Sequence, residues 1–163
     1  MAEVISNTSP LLYLHRIRKL DWLSQLFSIV RVPGAVVREL QEGQRRGYDV
    51  PDLERIEGIQ VVAPQSVPSE WLTLDLGAGE LEALALALEH PDHVVLLDDD
   101  LARRVAQAAG LEVWGTLKIL LQAKERDLTP SIAAHLDQLE RSGMWISESL
   151  RRRVLNLAGE SPE

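Results

Sequence analysis

The chain has 163 residues and no cysteine, so disulfides, thiolate metal sites and cysteine nucleophiles are excluded. Hydrophobic residues make up 45% and charged residues 26%, which indicates one folded domain, and the longest apolar run, Ala83 to Leu88, is far below the roughly 18 residues that span a bilayer. The net charge of −8 disfavours tight, nonspecific binding to a polyanion, although bound cations can neutralise carboxylates gathered at one site.

The first half of the chain predicts three strands separated by helices. The β-branched run 4–6 predicts a first strand. Ser9-Pro10 predicts a helix start, because serine is a favoured N-cap and proline suits the first helical position. The next predicted segments are a helix at 20–27, a strand at 29–32, helices at 35–46 and 51–57, a strand at 59–63 and a loop at 64–68.

The second half continues the alternation. Gly77-Ala78-Gly79 predicts a flexible lead into a helix. The segments that follow are a helix at 80–89, a strand at 93–97, a helix ending near 109, a strand at 111–114, a helix at 116–126, a helix from Thr129-Pro130 to Gly143, and a last helix from Ser147. Strands that alternate with helices predict a parallel sheet covered by helices on both faces.

Three polar clusters follow predicted strands at the point where each strand ends. They are residues 6–9, Asp98-Asp99-Asp100 and Gly115-Thr116. The carboxyl ends of parallel strands meet at one edge of an open sheet, and functional sites form there. Helix capping would explain one of the three aspartates, but three in a row repel one another unless a cation or solvent intervenes.

Glu80 stands out by its helical angle. Glu82 and Glu89 lie about 20° apart and define a polar face, whereas Glu80 lies about 160° away, among Ala83 and Ala87. A lone carboxylate on an apolar side needs a reason, since burying an unpaired charge is costly. The alternative is a first-turn acid that interacts with the helix dipole.

Glu39 gives a weaker signal, because it lies at the border between an apolar stripe and a polar side of its helix. Oxygen ligands of this kind suit Mg²⁺ or Mn²⁺ rather than zinc. The histidines are scattered along the chain, at His15, His90, His93 and His135, and no phosphate-binding glycine loop or serine-nucleophile motif is present.

The ordered set of motifs resembles PIN-domain proteins. Residues 5–11 are similar to their opening motif, Gly79-Glu80 with its Ala/Leu helix to their central motif, and 95–106 to their third acidic motif, with 111–117 and 123–126 extending the match. The likeness is closest to a bacterial and archaeal subgroup, related to the VapC-like toxins, that has a helical C-terminal extension.

The resemblance implies a three-layer α/β/α fold with a parallel sheet of four or five strands. It implies a PIN domain over 1–128 and a helical extension over 129–163, packed on the same domain. It further implies a metal-dependent endoribonuclease using Mg²⁺ or Mn²⁺, often within a toxin–antitoxin pair. The expected partners are RNA, an antitoxin protein and a second copy of the chain. We expect no membrane partner, and a soluble protein in the cytoplasm.

Carried over residue by residue, the resemblance places catalytic roles on Asn7, Glu39, Glu80 and Asp99. Glu39, Glu80 and Asp99 would be metal-site acids, with Asp98 as the alternative to Asp99. The expected substrate contacts are Ser9, Thr116, Arg103 and Lys124, although helical arginines and lysines are usually only solvated.

Asn7 departs from the family pattern, because most active PIN nucleases have aspartate at this position. An amide oxygen can coordinate a metal, but it adds no negative charge, so affinity for a divalent cation should fall. A PIN module that binds RNA or a protein partner without catalysis is therefore the alternative. A phosphatase or phosphoacceptor domain is a weaker one, since its nucleophilic aspartate would stand where Asn7 stands.

Overall fold

Five short strands form one sheet in the computed structural model, which describes residues 1–161. They are β1 (Val4–Ser6), β2 (Val30–Val32), β3 (Ile59–Val61), β4 (Val94–Leu96) and β5 (Glu112–Trp114). Their order is β3-β2-β1-β4-β5, and every neighbouring pair is parallel. The predicted parallel sheet is confirmed, at the upper of the two expected strand numbers.

Eight α-helices surround the sheet within the described residues. They are α1 (Thr8–Arg16), α2 (Trp22–Leu26), α3 (Gly34–Arg45), α4 (Ala78–Glu89), α5 (Asp100–Ala108), α6 (Thr116–Glu125), α7 (Ala133–Arg141) and α8 (Glu148–Leu157). The predicted short helix at 51–57 is a 3-10 turn, Leu53–Arg55, and a second 3-10 turn, Ser69–Thr73, was not predicted.

Alternate side chains of the strands enter two separate cores. Val4 and Leu96 pack on the side of α1, α2 and α6 to α8, whereas Ile5 and Val95 pack against α4 and α5. Both faces of the central strands are buried, which explains why their sequences show no polar alternation. The layers confirm the predicted α/β/α arrangement.

The first helix begins two residues earlier than predicted. Ser9 is not its N-cap, because α1 starts at Thr8 and Asn7 takes the cap position. The backbone N–H of Asn7 still donates to the Leu96 carbonyl, at 3.2 Å, so the chain passes from strand to helix without an intervening loop. This tight passage keeps Asn7 at the edge of the sheet.

The predicted start of the seventh helix at Thr129-Pro130 is wrong, since α7 begins at Ala133. The Thr129 hydroxyl donates to the Ser131 carbonyl at 2.8 Å and holds a turn there. The backbone N–H groups of Ile132 and Ala133 donate to the Glu160 carboxylate, at 2.9 and 3.2 Å. A distant acid therefore replaces the local cap that the sequence predicted.

The C-terminal helices share the larger core with the sheet. Their buried members are Ile132, Leu136, Leu139, Ile146, Val154 and Leu155. The predicted division between 128 and 129 stays a prediction, and residues 162 and 163 of the predicted extension lie outside the described residues. Along residues 1–161, no helix combines the length and apolar character that crossing a bilayer requires.

Glu160→Ala is expected to destabilise the fold by about 1–3 kcal/mol, because the start of α7 loses its acceptor. Lys124 also loses its partner, since its ammonium lies 3.0 Å from the Glu160 carboxylate. Burial raises the pKa of Glu160, but hydrogen bonds from Ile132, Lys124 and Ala133 outweigh burial and leave the pKa below its ordinary 4.5.

A depressed folded-state pKa means that the stabilisation is complete above the ordinary pKa and is lost as pH falls through the folded value. Denaturant unfolding should therefore show the charge contribution, measured as wild type minus Glu160→Gln, near neutral pH and lose it in strong acid. A difference that is independent of pH would contradict the assignment.

Candidate functional site

The strand register brings three turns together at one edge of the sheet. Ser6 pairs with Leu96, and Leu96 pairs with Trp114. The residues that follow these three strands therefore leave the sheet side by side. We call this carboxyl edge of β1, β4 and β5 the rim.

Asn7 is the innermost polar residue of the rim, with 4% of its surface exposed. Its side-chain oxygen Oδ1 is buried, and no group among the described residues donates a hydrogen bond to it. Oδ1 lies 3.0 Å from the point where a Cβ on Gly79 would stand, and the Glu39 carboxylate lies beside the same point. An unpaired buried oxygen thus stands next to a carboxylate.

Glu39 connects three helices. Its side chain extends from α3, one carboxylate oxygen accepts the Thr8 hydroxyl of α1, and the other accepts the Gly79 N–H of α4 at 3.1 Å. The carboxylate approaches Gly79 so closely that any Cβ there would collide with it. The glycine at position 79 is therefore needed to leave space for Glu39 rather than to make the lead into α4 flexible. The helix α4 begins at Ala78.

Glu80 is half-buried in the first turn of α4, and its Oε1 accepts the Gly77 N–H at 2.9 Å. Burial raises the pKa of Glu80, the Gly77 hydrogen bond opposes that rise, and the negative charges of Asp99, Glu39 and Asp75 add to it. The net pKa is raised. Glu39 and Asp99 therefore lie close enough to Glu80 for their charges to act on it. We call these three the rim acids.

Asp75 was not singled out in the sequence. It lies in the loop before Gly77, and its charge acts on Glu80. No feature of its position in the sequence distinguishes it from an ordinary loop acid, because its nearness to Glu80 depends on how the loop turns into α4.

The three consecutive aspartates have different environments. Asp99 is the N-cap of α5, and its Oδ2 accepts the Ala102 N–H at 2.9 Å. Asp98 is turned inward to Thr116, and Asp100 is exposed. Burial raises the pKa of Asp98, although the two Thr116 hydrogen bonds and the positive charge of Arg103 oppose the rise. Capping and burial thus account for two of the three acids.

The predicted substrate contacts are divided between the rim and other surfaces. Ser9 is half-buried in the first turn of α1, and Thr116 is fully buried with its hydroxyl bonded to Asp98. Arg103 donates to the Leu97 carbonyl at 3.0 Å. Lys124 lies eight residues beyond Thr116, about 12 Å along α6, and pairs with Glu160. A substrate contact by Lys124 finds no support in this position.

The donor set of the rim fits a hydrated hard cation. The unpaired Asn7 oxygen and the rim acids are oxygen ligands, which Mg²⁺ and Mn²⁺ prefer. The three rim acids do not bring one oxygen each within 4.8 Å of the others. Mg²⁺ usually keeps several waters and takes only one or two carboxylates directly, so this wider spacing is compatible with it.

Within residues 1–161, the three-residue group whose ligand atoms do lie within 4.8 Å is Glu3, Asp92 and His93. These residues precede β1 and β4, so they lie at the opposite edge from the rim. Arg31 already occupies this group, with its Nη1 3.2 Å from Glu3 and in contact with His93. We interpret it as an ion-pair network rather than a metal site.

Comparisons with known proteins agree with the fold and the motifs. A family model described as a PIN domain, DUF3368, matches residues 3–160. Among solved structures, a PilT N-terminus domain protein from the hyperthermophilic archaeon Sulfolobus solfataricus P2 superposes with a TM-score of 0.53 at 16% sequence identity, covering 76% of this chain and 93% of that one. A search of curated proteins found no match.

The structural likeness, at this low identity, supports the fold alone. The family match carries more, because it extends over nearly the whole chain, including all eight helices and five strands of the described residues. The chain therefore belongs to the PIN-domain family.

Proposed function

We propose that this chain is a divalent-metal-dependent endoribonuclease whose site is the rim. PIN domains are generally nuclease-like and depend on divalent metals, which gives the class of reaction. The observation that carries the proposal for this chain is the Asn7 side-chain oxygen, which is buried and unpaired beside the Glu39 carboxylate.

An unpaired buried acceptor costs about 1–3 kcal/mol, and here it also faces negative charge. A cation bound between Asn7 and Glu39 would relieve both costs, because it attracts an amide oxygen and a carboxylate alike. Glu80 and Asp99, whose charges act on each other, would complete the binding site. The folded protein thus has a position, between Asn7 and Glu39, where a hard cation would bind favourably.

The residues that would hold Mg²⁺ or Mn²⁺ are Asn7 and the rim acids, directly or through water. When bound, such an ion lowers the pKa of a water molecule and stabilises charge on a phosphate. The protein's own hydrogen bonds hold the carboxylates in position. The Gly77 N–H fixes Glu80, the Thr8 hydroxyl and Gly79 N–H fix Glu39, and the first turn of α5 fixes Asp99. Ser9 would orient the substrate.

RNA is the proposed substrate, and an antitoxin protein and a second copy of the chain are the proposed protein partners, all by family resemblance. The net charge of −8 is unfavourable for constitutive binding to DNA. A cytoplasmic location accords with the absence of cysteine.

The direct test is RNA cleavage in Mn²⁺ by three variants and the wild type. Glu80→Gln and Asp99→Asn should each lower kcat/KM about a hundredfold or more, since each removes a charge that holds the cation. Asp100→Asn is the matched control. It removes the same charge from the next residue along the chain, whose side chain is exposed. Equal activity in all four proteins would point to a contaminating nuclease and end the proposal.

Asn7 itself favours a second candidate, a PIN module that binds RNA or protein without cleaving. Where family members carry a negative charge, this chain offers a neutral amide. Calorimetry separates the two functions, because the non-catalytic module should show no Mn²⁺ binding at millimolar concentration, whereas the nuclease should bind.

A further inference from the structure

Asp98 has both carboxylate oxygens engaged inside the protein. Oδ1 accepts the backbone N–H of Thr116, and Oδ2 accepts the Thr116 hydroxyl, each at 2.7 Å. Thr116 is fully buried and is the first residue of α6. The two hydrogen bonds therefore join the turn after β4 to the start of the helix after β5.

Arg103 and Gly115 complete this connection. The guanidinium Nη1 of Arg103 donates to the Leu97 carbonyl at 3.0 Å. The same Nη1 and the Asp98 Oδ1 lie 2.8 and 3.1 Å from the point where a Cβ on Gly115 would stand. The missing side chain of Gly115 thus leaves space for both the guanidinium of Arg103 and the carboxylate of Asp98.

Asp99 directly follows this anchored residue and has a different environment. Its side chain is exposed, one oxygen caps α5, and its charge acts on Glu80. The cap orients the side chain relative to α5, but it does not fix α5 relative to the neighbouring strand end. The hydrogen bonds of Asp98 supply that second constraint.

We propose that Asp98 is a positioning residue that fastens the β4–α5 turn to α6 through Thr116, while Arg103 ties α5 to Leu97 at the start of the same turn. Together these bonds hold Asp99 within reach of Glu80. The catalytic consequence rests on the proposed function. This assignment removes Asp98 from the metal ligands, and it removes Thr116 and Arg103 from the substrate contacts. Asp98 and Thr116 are hydrogen-bonded to each other, and Arg103 donates to the Leu97 carbonyl.

Thr116→Val tests the connection, because valine keeps the buried shape and removes only the hydroxyl. A misplacement of about 1 Å at a reacting group can cost about a hundredfold, so kcat should fall between about tenfold and a hundredfold. The Mn²⁺ dissociation constant should rise by less than it does in Asp99→Asn, because the Asp99 carboxylate is misplaced but keeps its charge. Thr116→Ser keeps the hydroxyl and should restore most of kcat.

Amide hydrogen exchange at Ala102 gives a readout that needs neither metal nor RNA. Asp99 accepts this N–H, so loosening of the turn should speed its exchange in Thr116→Val and leave it near wild type in Thr116→Ser. Arg103→Gln, which removes the bond to Leu97 with less change to the interior, should show the same effect and serves if Thr116→Val does not fold.

Two results would overturn the assignment. Asp98→Asn could weaken Mn²⁺ binding as much as Asp99→Asn does, which would make Asp98 a ligand. Alternatively, the Thr116 and Arg103 variants could leave Ala102 exchange unchanged, which would deny any effect on Asp99. If wild type neither binds Mn²⁺ nor cleaves RNA, the proposed function fails, while Ala102 exchange still decides whether Asp98 positions the turn.

Discussion

Asn7→Asp is expected to tighten Mn²⁺ binding about tenfold to a hundredfold and to raise RNA cleavage with it. Two unit charges 4 Å apart attract by about 4 kcal/mol at an effective dielectric of 20, and part of this gain is offset by repulsion from Glu39. Calorimetry at fixed ionic strength measures the affinity. The control Asn156→Asp, which adds the same charge at an exposed position of α8 outside the rim, should bind Mn²⁺ as wild type does.

The same change should weaken the metal-free fold. Residue 7 is 4% exposed, so a carboxylate there would be buried beside Glu39 with no positive partner. In EDTA the Tm of Asn7→Asp should therefore fall below that of wild type. Mn²⁺ should raise the Tm of the variant by more than it raises the Tm of wild type. A variant that gains neither affinity nor Tm from Mn²⁺ would show that the Asn7 oxygen does not face a cation position.

The outcome also separates the two proposed functions. Cleavage that is present in wild type and increases in Asn7→Asp indicates a working nuclease with reduced metal affinity. Cleavage that appears only in Asn7→Asp indicates that the wild-type protein is a non-catalytic module that binds RNA or protein and retains the rim acids.

The sequence predicted the rim because the rule behind it is local. Each strand is short and apolar, each is followed by polar residues, and parallel strands end at one edge, so Asn7, Asp99 and Thr116 could be placed without coordinates. The start of the last helix at Ser147 was likewise predicted from a local rule, and Ser147 caps α8 through a 3.1 Å bond from Leu150.

The remaining features depend on contacts between distant residues. Glu39 gave only a weak signal because its partners, Thr8 and Gly79, are 31 and 40 residues away in the chain. The start of α7 depends on Glu160 in the same way. Local periodicity carries no information about such pairs, and for the same reason it could not divide the roles among residues 98–100.

Gly79→Ala is expected to abolish the arrangement of the rim while leaving the fold nearly as stable. Gly79 lies inside α4 and is not among the positive-φ glycines, so alanine suits the backbone and favours the helix by about 1 kcal/mol. Its Cβ would overlap the Glu39 carboxylate and stand 3.0 Å from the Asn7 Oδ1. The Glu39 carboxylate would therefore have to move away from Gly79 and Asn7.

Loss of the Glu39 hydrogen bonds to Thr8 and Gly79 costs about 1–3 kcal/mol, which the helix preference partly offsets. Net stability should thus change by no more than about 2 kcal/mol in denaturant unfolding. Mn²⁺ affinity and RNA cleavage should each fall about a hundredfold, because one ligand is displaced and the cation position is filled by a methyl group.

Gly77→Ala provides the matched control two residues earlier. Its Cβ would meet the Glu80 Oε1 at 3.3 Å and the Glu39 Oε2 at 3.9 Å, distances that a shift of a few tenths of an ångström relieves. Cleavage should therefore fall by less than about fivefold. If both alanine variants retain wild-type Mn²⁺ affinity, the space between Asn7, Glu39 and Gly79 does not hold the cation, and Glu80 with Asp99 would have to bind it alone.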